Sequence, residues 1–202
     1  GAGSTLEIDG KLTVKNVEPT ERTKAAAVAV RNGSHLTTDG IEVAGAATFE
    51  VSSVAAGRML DDDRMLAASQ NGAEFVSDRS SLTTGDVSFA GMSAMEGDVL
   101  KYYRPNFTFT MSDVTVNSLS LRDGAYGSLN GATSKQLTES GSQYVNESGK
   151  LVDAYVEGAG AKLNIAGSLV LTNETEGLMS NASQVSVFRD SAIGVNDAVM
   201  RG

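Results

Sequence analysis

Several stretches of the chain follow one pattern, a short alternating strand, a Gly turn, a second strand, another Gly turn and a third strand. The cleanest copy is Val28-Ala-Val-Arg-Asn-Gly-Ser-His-Leu-Thr-Thr-Asp-Gly-Ile-Glu-Val-Ala-Gly45. Alternation with period two places every second side chain on one face, which is how a half-buried strand is written. Glycine beside Asn or Asp supplies the positive φ that a sharp change of direction needs. A chain that repeats this unit can fold only by burying many short strand faces against one another.

Looser copies cover much of the remainder. Residues 5–17 alternate on both sides of Asp9-Gly10, and Ala25–Val30 leads directly into Asn32-Gly33, so it reads as a strand despite its alanines. Residues 47–54 give another strand. The cassette returns at 73–91, sharing Leu-Thr-Thr and a final Ala-Gly with residues 28–45. Strands follow at 107–111, 114–116 and 119–121, with a turn at Asp123-Gly124. Residues 155–173 form a further copy, and residues 185–195 form the last before a short tail. Three insertions interrupt the series. Residues 58–72 carry good helix formers ending at Asn71-Gly72, a C-cap signal, and predict one to three helical turns. Residues 92–106 hold Tyr102 and Tyr103, and residues 131–150 have the polar composition of a surface loop.

The expected fold is therefore all-β in a single domain, 1–202: an irregular right-handed β-solenoid (parallel β-helix) with short helical and loop insertions. Stacked coils bury Val, Leu and Ile in continuous ladders and put Gly and Asn at corners. The alternative reads Asp9-Gly10, Asn32-Gly33 and Asp123-Gly124 as two-residue hairpin turns, which gives an antiparallel β-sandwich. Aromatics make up only 5% of the chain and Trp is absent, so the expected core is aliphatic and has no large aromatic layer to join two sheets. That favours the solenoid.

Residues 158–173 and 32–45 resemble the coils of autotransporter and related secreted β-helix passengers. The resemblance implies an outer-surface adhesive or structural protein, and the irregular spacing of the copies departs from that family's pattern. Cysteine is absent, which removes disulfides and thiolate metal sites. The net charge of −9 would repel nucleic acid and anionic membranes. No apolar run approaches the ~20 residues of a membrane-spanning helix. An extracellular, cell-surface location is expected, with self-association through sheet ends or edges and with host or matrix glycans as further partners.

Reactive chemistry is sparse. The single histidine, His35, sits beside a turn and reads as a solvated strand residue. No nucleophile elbow, phosphate loop or dinucleotide fingerprint is present, and no catalytic residue or cofactor is expected. Asp61-Asp62-Asp63 is the densest acidic cluster; it reads first as a solvated helical face and second as a weak Ca²⁺ site, since hard oxygen ligands suit that ion. Tyr102 and Tyr103 are candidates for stacking on sugar rings. Five sequons, at Asn32, Asn106, Asn146, Asn173 and Asn181, would accept N-glycans in a glycosylating organism. A non-enzymatic extracellular structural or adhesive surface protein, either a self-assembling filament or sheath subunit or an adhesin passenger, is the first expectation. A polysaccharide-cleaving β-helix enzyme and a glycan-binding module are the alternatives.

Overall fold

The computed structural model describes residues 3–16, 26–31, 33–52, 79–96, 98–131, 160–173 and 182–201. Thirteen strands carry them: β1 (Thr5–Asn16), β2 (Ala26–Arg31), β3 (His35–Gly45), β4 (Ala47–Ser52), β5 (Ser81–Ala90), β6 (Met92–Glu96), β7 (Val99–Tyr103), β8 (Asn106–Thr110), β9 (Asp113–Arg122), β10 (Tyr126–Asn130), β11 (Lys162–Thr172), β12 (Gln184–Val187) and β13 (Ala192–Arg201). The fold is all-β, with no helix among the described residues. The expected helix at 58–72 and the expected loop at 131–150 fall outside the described residues, except for Gly131.

Two sheets dominate. The first runs β1-β3-β5-β9-β11-β13 and the second β12-β10-β8-β4-β2. Every pairing within them is parallel. Apart from the β6–β7 pair, consecutive strands alternate between the two sheets, and each strand pairs with the previous and next strand of its own sheet. The antiparallel sandwich is thereby corrected. Asp123-Gly124, with φ of 53° and 81°, joins β9 to β10 without pairing them. Asp9-Gly10 lies inside β1, and the segment at Gly33 passes from one sheet to the other.

The long strands of the six-stranded sheet turn a corner midway. Along β3 the buried positions are Leu36 and Thr38, then Ile41 and Val43, so the inward parity flips at Asp39-Gly40. The same flip occurs at Gly85-Asp86 in β5 and Asn117-Ser118 in β9. In β1 and β11 the register shifts there by an extra residue. A parity flip is what a polar corner requires, because two successive side chains must both point outward. Register then aligns the apolar positions into ladders. Leu6, Leu36, Leu82, Val114, Leu163 and Ile193 form one, and Val14, Val43, Phe89, Leu121, Leu171 and Met200 another.

The second sheet contributes Val28, Phe49 and Phe107 at one level and Val30, Val51, Phe109 and Leu129 at the next, and both sheets share one buried cluster. The core is thus not purely aliphatic. Phe107 stacks on Phe109 with centroids 4.5 Å apart and tilts against Phe89 at 5.2 Å. Few aromatics sufficed because four phenylalanines are gathered in one place.

A serine row closes the other corner. Each long strand is preceded by a small residue: Ser4, Ser34, Ser80, Ser112, Ala161 and Ser191. Backbone bonds link the row from layer to layer, Ser81 N–H to Ser34 C=O and Asp113 N–H to Ser80 C=O among them. Ser80 and Ser112 are fully buried, and their hydroxyls donate to Ser52 and Thr110 carbonyls at 2.7 Å. Buried hydroxyls with partners cost little.

Two buried hydroxyls among the described residues, those of Thr84 and Thr172, lack that compensation. Thr38 donates to the Gly10 carbonyl at 2.6 Å, whereas Thr84, next in the same ladder, has no partner for its Oγ1. Removing an unsatisfied buried polar group relieves its desolvation penalty. Thr84→Val is therefore expected to stabilise the protein by about 1 kcal/mol and Thr38→Val to destabilise it by about as much. Urea unfolding of the two variants checks the opposite signs.

Candidate functional site

Three regions carry the exposed chemistry: the polar corner of the six-stranded sheet, the β6–β7 hairpin, and the two ends of the stack. At the corner, Asp86 accepts hydrogen bonds from Asn117 Nδ2 and Ser118 Oγ, both at 2.7 Å. The Ser118 and Asn117 bonds, with Lys11 nearby, hold its carboxyl below the ordinary carboxylate range. Asp39 is exposed on the neighbouring strand β3, and Asp9 on β1 beyond it. Outside the corner, Lys15 lies 2.6 Å from Glu42, and Arg31 grips Glu50 through both oxygens at 3.0 and 2.6 Å. The Glu50 bonds raise the Arg31 pKa further.

The hairpin leaves the stack between Met92 and Tyr103, and Asn106 is already back in the five-stranded sheet. β6 and β7 pair antiparallel, Met92 opposite Tyr103 and Ser93 opposite Tyr102. Met95, Leu100 and Tyr102 share one exposed face, and Val99 is exposed at the tip. Tyr102 and Tyr103 are adjacent on one strand and so point to opposite faces. Tyr102 is 41% exposed and Tyr103 half-buried. The two tyrosines therefore do not form one platform.

At the end made by β1 and β2, a cavity of about 490 Å³ opens between the sheets, lined by Leu6, Ile8, Leu12, Val28, Val30 and Leu36 among others. At the opposite end Met200 is 69% and Phe188 52% exposed, beside Val187 and Val195. The ladder through Leu36 and Leu82 is thus uncovered at Leu6, and the ladder through Val43 and Phe89 is uncovered at Met200, while Val14 and Val30 remain buried at the β1–β2 end.

His35 is an exposed strand residue whose Nδ1 is hydrogen-bonded to Ser81 Oγ, in agreement with a solvated structural role. Asn106 begins β8 and is half-buried. Asn173 Oδ1 accepts from the Gly124 N–H at 3.1 Å and lies 3.3 Å from Ser183 Oγ, so its side chain helps join successive layers. Asp61, Asp62, Asp63, Asn32, Asn146 and Asn181 lie outside the described residues. Among the described residues no group of three or more His, Cys, Asp or Glu is placed to hold a metal ion, and no helix is long and apolar enough to cross a membrane.

The serine row and the exposed ladder ends were not foreseen from sequence. The signal for the first is a Ser one position before each long strand, visible at Ser4, Ser34, Ser80, Ser112 and Ser191. The residues after Val195 read as a tail in the sequence, but they continue β13 to Arg201. Compared with protein-family models, curated proteins and solved structures, the chain finds no match.

Proposed function

We propose that the chain is a non-enzymatic, extracellular structural or adhesive protein, built as a right-handed β-solenoid whose ends associate. Strict alternation between two parallel sheets supports the solenoid, and parallel crossover connections are right-handed in nearly all proteins. The observation that carries the functional reading is the pair of uncovered ladder ends, Leu6 being 57% exposed at one and Met200 69% at the other. Unpaired strand edges beside apolar side chains are templates for further strands. Asp86 itself is poorly suited to act as a general acid, which needs a raised pKa, because its carboxyl is held low.

Two measurements test this. Protease added to intact cells of the source organism should cleave the protein, and the purified chain should sediment faster than a monomer. Protection in intact cells, or a monomer at every concentration, overturns the corresponding half of the proposal. The exposed Tyr102 on the hairpin face favours glycan contact as a second reading. Tyr102→Ala should then weaken binding on a glycan array by about tenfold, the loss of ~1–1.5 kcal/mol of aromatic stacking. Unchanged binding removes that reading.

A further inference from the structure

We propose that the chain assembles head to tail, β13 of one copy lying parallel on β1 of the next, which rests on the reading that its ends associate. The pairings already present define the register. Lys11 aligns with Gly40, Gly40 with Asp86, Asp86 with Ser118, and Ser168 of the next strand with Asp197. Carrying the same ladders across the junction sets Ile193 against Leu6 of the next copy, Val195 against Ile8, Ala198 against Leu12 and Met200 against Val14. These four inward contacts are apolar on apolar, and the corners coincide.

The two ends also differ in what they present. One carries the 490 Å³ cavity lined by Leu6, Ile8 and Leu12; the other carries the exposed Met200 and Phe188. A contact between two different patches of the same molecule is heterologous and does not close unless the rotation does, and so can give a filament. At the corner, Asp197 meets Lys11. A two-fold pairing of like ends would instead bring Asp197 to Asp197, or Lys11 to Lys11. The one like-charge meeting in the head-to-tail register is Arg201 with Lys15, and Lys15 is already paired with Glu42.

Six strands in one sheet and five in the other have a consequence at the junction. When β13 meets the next β1 directly, β12 and the next β2 stay one strand apart, and Val187 and Phe188 border that gap. Each copy adds six layers, so the filament repeat is about 29 Å at a strand spacing of ~4.8 Å.

Charge exchange tests the arrangement. Sedimentation velocity at low salt and negative-stain microscopy would compare the wild type with Lys11→Asp, Asp197→Lys and the double exchange. Both positions are exposed, so circular dichroism should be unchanged. Each single exchange is expected to weaken association by about fivefold, and the double exchange to restore it to within about twofold. Met200→Glu should abolish rods without altering the melting temperature. Failure of the double exchange to rescue, or a closed dimer in place of rods, overturns the head-to-tail register while leaving self-association standing. A monomer at the highest attainable concentration overturns both.

Discussion

Phe107→Ala is expected to lower the stability by about 3–5 kcal/mol, the range for truncating a fully buried phenylalanine. The ring is wholly inaccessible and touches both sheets, through Phe109 beside it and Phe89 across the core. Its place is secured from the next layer. Gly127 is its register partner, and a Cβ on Gly127 would lie 2.0 Å from the Phe107 ring. Gly127→Ala alone should therefore cost about 1–3 kcal/mol through overpacking. In the Phe107→Ala background that cost should largely vanish, because the atoms it collides with are gone. A double-mutant cycle by urea unfolding reads the coupling, and additive effects would mean that the ring does not occupy the glycine's space.

Gly91→Ala is expected to cost about 3 kcal/mol, the upper part of the overpacking range. Gly91 follows β5 where the hairpin leaves the stack, and its N–H donates to the Arg122 carbonyl at 3.0 Å. A Cβ there would stand 1.8 Å from the Asp123 carbonyl oxygen. Both sides of the contact are backbone, so no rotamer can relieve it and the two layers must separate. Gly167→Ala is the control, since its Cβ would meet the Asn117 oxygen at 3.0 Å and needs only a small adjustment. Its cost should stay below about 1 kcal/mol. Equal losses at the two positions, in chemical denaturation, would show that layer spacing is not what limits Gly91.

Much of the fold was legible because inward positions recur every second residue. Leu36, Ile41 and Val43 announce a half-buried strand in any all-β architecture, and the matching Leu-Thr-Thr of β5 announces a neighbour of the same kind. Pairing was not legible locally. Asp123-Gly124 adopts positive φ at both residues, which a hairpin turn and a solenoid corner both require, so the dipeptide says that the chain turns and not which strand it meets. Only register between distant segments decides that. The corners inside the long strands were hidden for a related reason. A parity flip at Asn196-Asp197 looks like the end of alternation, and β13 was accordingly cut short at Val195.

Composition misled in one respect. A low aromatic share suggested a purely aliphatic core, yet Phe49, Phe89, Phe107 and Phe109 are brought together by ladders that link segments far apart in the chain. The site was less legible than the fold. Tyr102 and Tyr103 are adjacent in the sequence, but their opposite orientations follow from the strand β7 that carries them. The stack ends could not be read at all, because end and middle copies have the same pattern. Leu6 and Leu36 occupy equivalent positions, one 57% and the other 2% exposed, and they differ only in whether another layer lies beyond.

Parallel, in-register stacking is the claim on which the rest depends, and cysteine cross-linking tests it in a chain that contains no cysteine of its own. Thr83 and Thr115 are register partners on β5 and β9, and both are exposed. Parallel neighbours stand about 4.8 Å apart, within the span of a disulfide. Mild oxidation of Thr83→Cys/Thr115→Cys should give an intramolecular cross-link in high yield, detected as a peptide pair by mass spectrometry. A hairpin at Asp123-Gly124 would instead bring Asn117 opposite Asn130. Cross-linking of Asn117→Cys/Asn130→Cys, with none between positions 83 and 115, would contradict the parallel stack.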